Sequence, residues 1–162
     1  MEFTLTTDGS PEQVVTLLKL GGRQARNTRV VMERIVADMM EVEARIFSSQ
    51  GRRGGGSWPG LKPDTVKKKG TTEILRTRGA KAGYSKFPAD SLFRSLTEPG
   101  AEYQVLGISR NRIVFGTDHP FAEVIGANRP FMRFMNTDAD RWKGMLAEYL
   151  MEPFIRGQGG KK

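Results

Sequence analysis

Residues 2–7 alternate between apolar Phe3 and Leu5 and polar Thr4 and Thr6, the two-residue period of a short, half-buried strand. Ser10 and Pro11 then suit the cap and first position of a helix. Its apolar face is Val14, Val15, Leu17 and Leu18, and Gly21-Gly22 is expected to end or kink it. From Arg23 to Ser49 there is neither glycine nor proline. Val30, Val31, Ile35, Val36, Met39, Met40, Val42, Ile46 and Phe47 recur there mostly at helical spacing, which predicts a long amphipathic helix of up to ~40 Å. Glu33, Arg34, Asp38, Glu41, Glu43 and Arg45 fall to its other face. Met39 and Met40 read as adaptable core or subunit contacts.

The pattern then stops. Gly51-Arg52-Arg53-Gly54-Gly55-Gly56-Ser57 has no apolar face to bury, so 51–57 is expected to be a mobile basic loop whose arginines meet a phosphate backbone or an acidic neighbour. Trp58-Pro59-Gly60 is a turn, with Trp58 large enough to anchor the loop to the core. Asp64 or Thr65 can cap a short helix carrying Val66 and Lys67-Lys68-Lys69, ended by Gly70. Ile74 and Leu75 turn inward. A second glycine-rich basic stretch, 78–86, holds Arg78 and Lys81. Pro88-Ala89-Asp90 opens another short helix with Leu92, Phe93 and Leu96 inside.

A β-hairpin over about 103–116 is the clearest strand signal, with Ser109-Arg110-Asn111 at its turn. Phe121–Gly126 reads as a short helical or extended segment. Phe131 with Met132 and Phe134 with Met135 are expected to lie against the sheet. Thr137 or Asp138 caps a last helix through Trp142, Met145, Leu146, Tyr149 and Leu150, which Pro153 ends or bends. The expected fold is α+β: a long N-terminal helix and short helices on a small antiparallel sheet, with a C-terminal helix. One domain spans 1–156 and a flexible basic tail 157–162.

Charge and composition narrow the partners. The chain holds 26 Lys+Arg against 18 Asp+Glu, a net +8, which favours acidic partners such as DNA or another subunit. It has no cysteine, so disulfides and thiolate metal sites are excluded. No apolar run reaches the ~18 residues of a membrane span, and the start Met1-Glu2-Phe3-Thr4-Leu5 lacks the basic region of a signal peptide.

Catalytic patterns are missing. His119 is the only histidine, and its neighbour Asp118 is adjacent in sequence, which does not orient an imidazole for acid–base work. No serine stands in a nucleophile elbow. Thr137-Asp138-Ala139-Asp140 starts like a calcium loop but lacks the required glycine and closing glutamate, so these acids read as helix N-terminal residues. The expected catalytic, cofactor and metal residues are therefore none.

A series of short motifs remains: Trp58-Pro59 with Leu61 and Thr65, Lys67 to Lys69, Ile74-Leu75, Thr77 and Gly79, Ser91-Leu92 with Ser95-Leu96, Val114-Phe115-Gly116-Thr117, Phe121-Ala122, and Arg129-Pro130-Phe131-Met132. In this order, over roughly 28–155, they resemble the tail-completion or neck proteins of long-tailed bacteriophages, the phage virion morphogenesis family. The 77–92 link is longer and more basic than the family's, Phe121 stands where tyrosine is common, and the following aromatic-glycine step is reduced to Ile125-Gly126.

The resemblance implies a structural virion protein at the head–tail junction, made in the host cytoplasm and assembled as a homo-oligomeric ring. Implied partners are further copies of itself, neighbouring neck and tail proteins (connector or stopper, tail terminator or tail tube) and DNA in the channel, with no membrane. Contacts are expected at Arg52, Arg53, Trp58, Lys67, Lys68, Lys69, Arg78, Lys81, Met39 and Met40. The alternative is a small basic nucleic-acid-binding protein using Arg52, Arg53, Lys67–Lys69, Arg76, Arg78 and Lys81. An enzyme centred on His119 is the third reading.

Overall fold

A computed structural model describes residues 11–70, 72, 74, 91–109 and 112–158, without the side chains of 11–14, 17, 68, 69 and 156–158. The expected 2–7 strand, the 78–86 loop with Arg78 and Lys81, Leu75, the Pro88–Asp90 helix start, the 110–111 turn and residues 159–162 lie outside the described residues.

The architecture is α+β, with helices around one two-stranded sheet. Helix α1 spans Pro11–Arg26 and α2 Arg29–Ser48. A 3-10 turn, Arg52–Gly54, leads to α3, Pro63–Lys69, and then α4, Ser91–Thr97. Strands β1, Gln104–Ile108, and β2, Ile113–Thr117, pair antiparallel with Leu106 opposite Phe115. Helix α5, Ala122–Asn128, and the long α6, Asn136–Gln158, complete the described chain.

The first helix boundary differs from expectation. Gly21-Gly22 does not stop α1; the break falls at Asn27-Thr28. Gly21 instead admits a ring from α6: a Cβ there would sit 2.6 Å from Phe154 Cζ. Gln24 Nε2 donates to Glu152 Oε2 (3.1 Å) and Tyr149 OH to the Asn27 carbonyl (2.6 Å), so α1 lies along α6. The glycines are thus explained by tertiary packing, which outweighs their low helix propensity. Pro153 also stays inside α6, which runs on to Gln158, so residues 157 and 158 are helical rather than tail.

Helix α2 ends in a closed cap. Gln50 and Gly51 adopt left-handed φ values of 54° and 86°, with Gly51 N–H on the Ile46 carbonyl and Gln50 N–H on that of Phe47. Helix α3 is not capped by Asp64 or Thr65; Lys62 is its cap residue and Pro63 its first turn, as the ring's fixed φ favours. Gly70, at φ 68°, ends it as expected.

The core gathers Val42, Ile46, Phe47, Trp58, Ile74, Leu92 and Leu96. Phe47 is its centre, with Trp58, Phe93 and Phe131 rings at 5.4, 5.3 and 6.1 Å. The sheet joins this core through Phe115, whose ring lies 6.4 Å from Phe134, and through Gly116, against which Met132 packs.

Candidate interaction surface

The segment 51–57 is a hydrogen-bonded turn rather than the structureless loop expected. Gly51 and Gly54 are buried, and Gly54, Gly55 and Trp58 N–H groups bond back onto Gly51, Arg52 and Gln50 carbonyls. The reason is Trp58. It is 5% exposed, donates Nε1–H to the Pro130 carbonyl (2.9 Å), and lies so close to Gly51 that a Cβ there would be 2.4 Å from its Cδ1. The turn is folded around the indole, and the tryptophan has no outward surface for a partner.

Arg53 is turned inward too. Its guanidinium bonds Asp138 Oδ1, and Asp138 is fully buried. Burial raises the Asp138 pKa, but the Met135 N–H, Arg53 and Arg141 together hold it below the usual carboxylate value. Arg141 also reaches Asp38, which accepts from Trp142 Nε1 (2.6 Å) as well. This network fastens α2, the 3-10 turn and the start of α6 to one another. Asp138 is therefore a helix N-terminal acid, as expected, but it lies within the first turn of α6 rather than at its cap, and it is satisfied by Arg53 from outside the helix, by Arg141 one turn on and by the Met135 N–H.

Of the remaining expected contacts, Met40 is buried, Met39 half-buried, and Arg52 and Lys67 exposed; Lys68 and Lys69 lie on α3. Of the basic residues expected to form a patch, Arg52, Arg53 and Lys67 have described side chains, and of these Arg53 is turned inward to Asp138. Exposed apolar side chains stand out instead: Val15, Leu18, Leu20 and Val30 on the first helices, Val105, Leu106 and Val114 on the hairpin, and Phe121 and Val124 around α5.

Two polar features escaped the sequence reading. Glu43 is fully buried; its Oε2 accepts the Met132 N–H (3.2 Å), while Oε1 has no partner. Burial pushes its pKa up to about 7, against the lowering effect of that bond. Met132 sits at φ 55°, so this bond restrains a backbone conformation that side-chain-bearing residues avoid. The signal was present: Val36, Met40, Glu43 and Phe47 form one stripe at helical spacing, and the acid interrupts it.

The other feature pairs His119 with Ser91, Nε2 to Oγ at 2.9 Å, both buried. Phe121 N–H donates to His119 Nδ1 (3.3 Å), so Nε2 carries the proton and donates to Ser91. Desolvation lowers the histidine pKa despite Asp118 and Glu102, favouring that neutral form. A serine nucleophile needs the reverse, with Nε2 free to accept the hydroxyl proton. The pair instead ties the start of α4 to the exit of β2, next to Ser95 Oγ on Thr117 Oγ1 (2.8 Å). Among the described residues no cluster of three or more His, Cys, Asp or Glu could hold a metal, and no helix is long and apolar enough to cross a membrane.

Two pairs of the motif segments meet, while Leu75, Thr77 and Gly79 lie outside the described residues. Trp58-Pro59 meets Arg129–Met132 through Trp58 Nε1 on the Pro130 carbonyl and Arg129 Nη2 on the Pro59 carbonyl (3.3 Å), with Glu43 holding Met132. Ser91 and Ser95 meet Thr117 and His119. No protein family, curated protein or solved structure matches the chain.

Proposed function

We propose that this chain is a structural subunit of the neck of a long-tailed bacteriophage, a ring-forming protein that completes the tail or joins it to the head. The observation that carries the reading is the brace between Trp58-Pro59 and Arg129–Met132, motifs joined by direct hydrogen bonds that span 70 and 72 residues. Motifs that recur in order because they build one scaffold should touch in this way; chance matches need not. The second contact, Ser95 with Thr117, joins two further motifs of the same series. The work is assembly, and His119, neutral and donating, serves packing.

Deletion of the gene from the phage that carries it tests the proposal. The expected result is unjoined heads and tails, or tails that fail to mature, with infectivity restored by the chain supplied in trans. Normal joined particles in its absence would overturn the reading.

A further inference from the structure

We propose that neighbouring copies of this chain pair through the hairpin, the outer edge of β1 in one copy bonding to the outer edge of β2 in the next. Closure into a ring rests on the neck-protein reading; the strand pairing itself does not.

Ser109 N–H donates to the Arg112 carbonyl (2.9 Å) and Asp118 N–H to that of Tyr103 (3.0 Å), marking 109–112 and 103–118 as hydrogen-bonded pairs. Such pairs alternate along an antiparallel ladder, so 105–116 and 107–114 are the others. Leu106 and Ile108 on β1, and Ile113 and Phe115 on β2, therefore turn their main-chain N–H and C=O groups away from each other's strand. None of these four makes a main-chain hydrogen bond on its outer side to a described residue. Among the described residues both edges are open.

Open edges are normally guarded by charge, proline or a bulge. Here Gln104-Val105-Leu106-Gly107-Ile108 and Ile113-Val114-Phe115-Gly116-Thr117 hold no charged residue and no proline, although 27% of the chain is charged. Val105, Leu106 and Val114 are 37, 39 and 37% exposed. Unprotected, apolar edges of this kind are suited to receive another strand.

A second copy is the occupant that satisfies both edges. The two are equal in length and run antiparallel, so a copy related by rotation offers β2 antiparallel to β1. The same contact repeated head to tail closes every edge, as heterologous interfaces do in rings. Two-fold pairing of β1 with itself would leave β2 open, and a single extended peptide from another protein would leave one edge open.

The chain has no cysteine, so single substitutions report contacts cleanly. Leu106→Cys and Ile113→Cys chains are prepared separately, checked for unchanged circular dichroism, and treated with a short bis-maleimide alone and as a mixture. The expected result is cross-linked dimer in the mixture and little in either alone. Leu106→Pro removes one outward N–H while sparing the ladder, and should raise the concentration for half-assembly by about tenfold. Cross-linking of Leu106→Cys with itself would overturn the proposal in favour of two-fold pairing. No cross-link in the mixture, whether an oligomer forms by native mass spectrometry or a foreign peptide protects the Leu106 amide instead, overturns it too. The neck reading survives those results and falls if the gene deletion leaves particles intact.

Discussion

Glu43 is the residue on which sequence pattern and structure part most clearly. A glutamate on an amphipathic helix is ordinarily assigned to the solvated face, yet this one is fully buried and half-satisfied. Its raised pKa makes a signed prediction. The native state holds the proton up to about pH 7, the unfolded chain only to about 4.5. The native state therefore binds more protons between those values, and stability falls as pH rises through them. Urea unfolding should show Glu43→Gln free of that loss, and more stable than the parent at pH 8 by roughly 1–3 kcal/mol. A variant as pH-sensitive as the parent over this window would contradict the assignment. His119 contributes with opposite sign: its lowered pKa costs stability as pH falls below its ordinary value of 6.5. The Glu43→Gln background should expose that acid-side loss, and substituting His119 with Gln in it should remove the slope. The Ser91–His119 pair had no local signal, because the residues are 28 apart and meet only once α4 packs beside the exit of β2.

At the scale of elements, periodicity located α2 and α4, because each buries a face at helical spacing, and the β-branched and apolar runs on either side of 109–111 located the hairpin. Periodicity misjudged places where a distant side chain decides the backbone. Gly21 reads as a helix stop until Phe154 fills the space beside it. The 51–57 segment reads as a flexible linker until Trp58 closes onto Gly51 and Asp138 takes Arg53. Glycine-rich composition describes what a segment cannot bury, not what its neighbours can press against it. Gly51→Ala tests this directly, since it places a methyl inside the indole and strains a left-handed residue. The expected loss is about 2–4 kcal/mol, read from the denaturant midpoint. Gly55→Ala, also left-handed but with open space around it, should cost only about 1 kcal/mol. Equal losses at the two positions would argue that the indole contact is unimportant.

For the whole molecule, the proposed neck function rests on the motif series and on the brace between Trp58-Pro59 and Arg129–Met132. The partner surface was less legible. Basic residues were the natural candidates in a chain of net charge +8, but Arg53 is used internally, by Asp138. Two uncharged strands carry the candidate proposed above, because the outer main-chain groups of Leu106, Ile108, Ile113 and Phe115 bond to no described residue. Cryo-electron microscopy of the tailed particles is the most direct measurement. The account predicts this chain in a closed ring at the head–tail junction, one hairpin per subunit. Particles whose neck lacks the chain, or a chain found only as a monomer bound to nucleic acid, would contradict it.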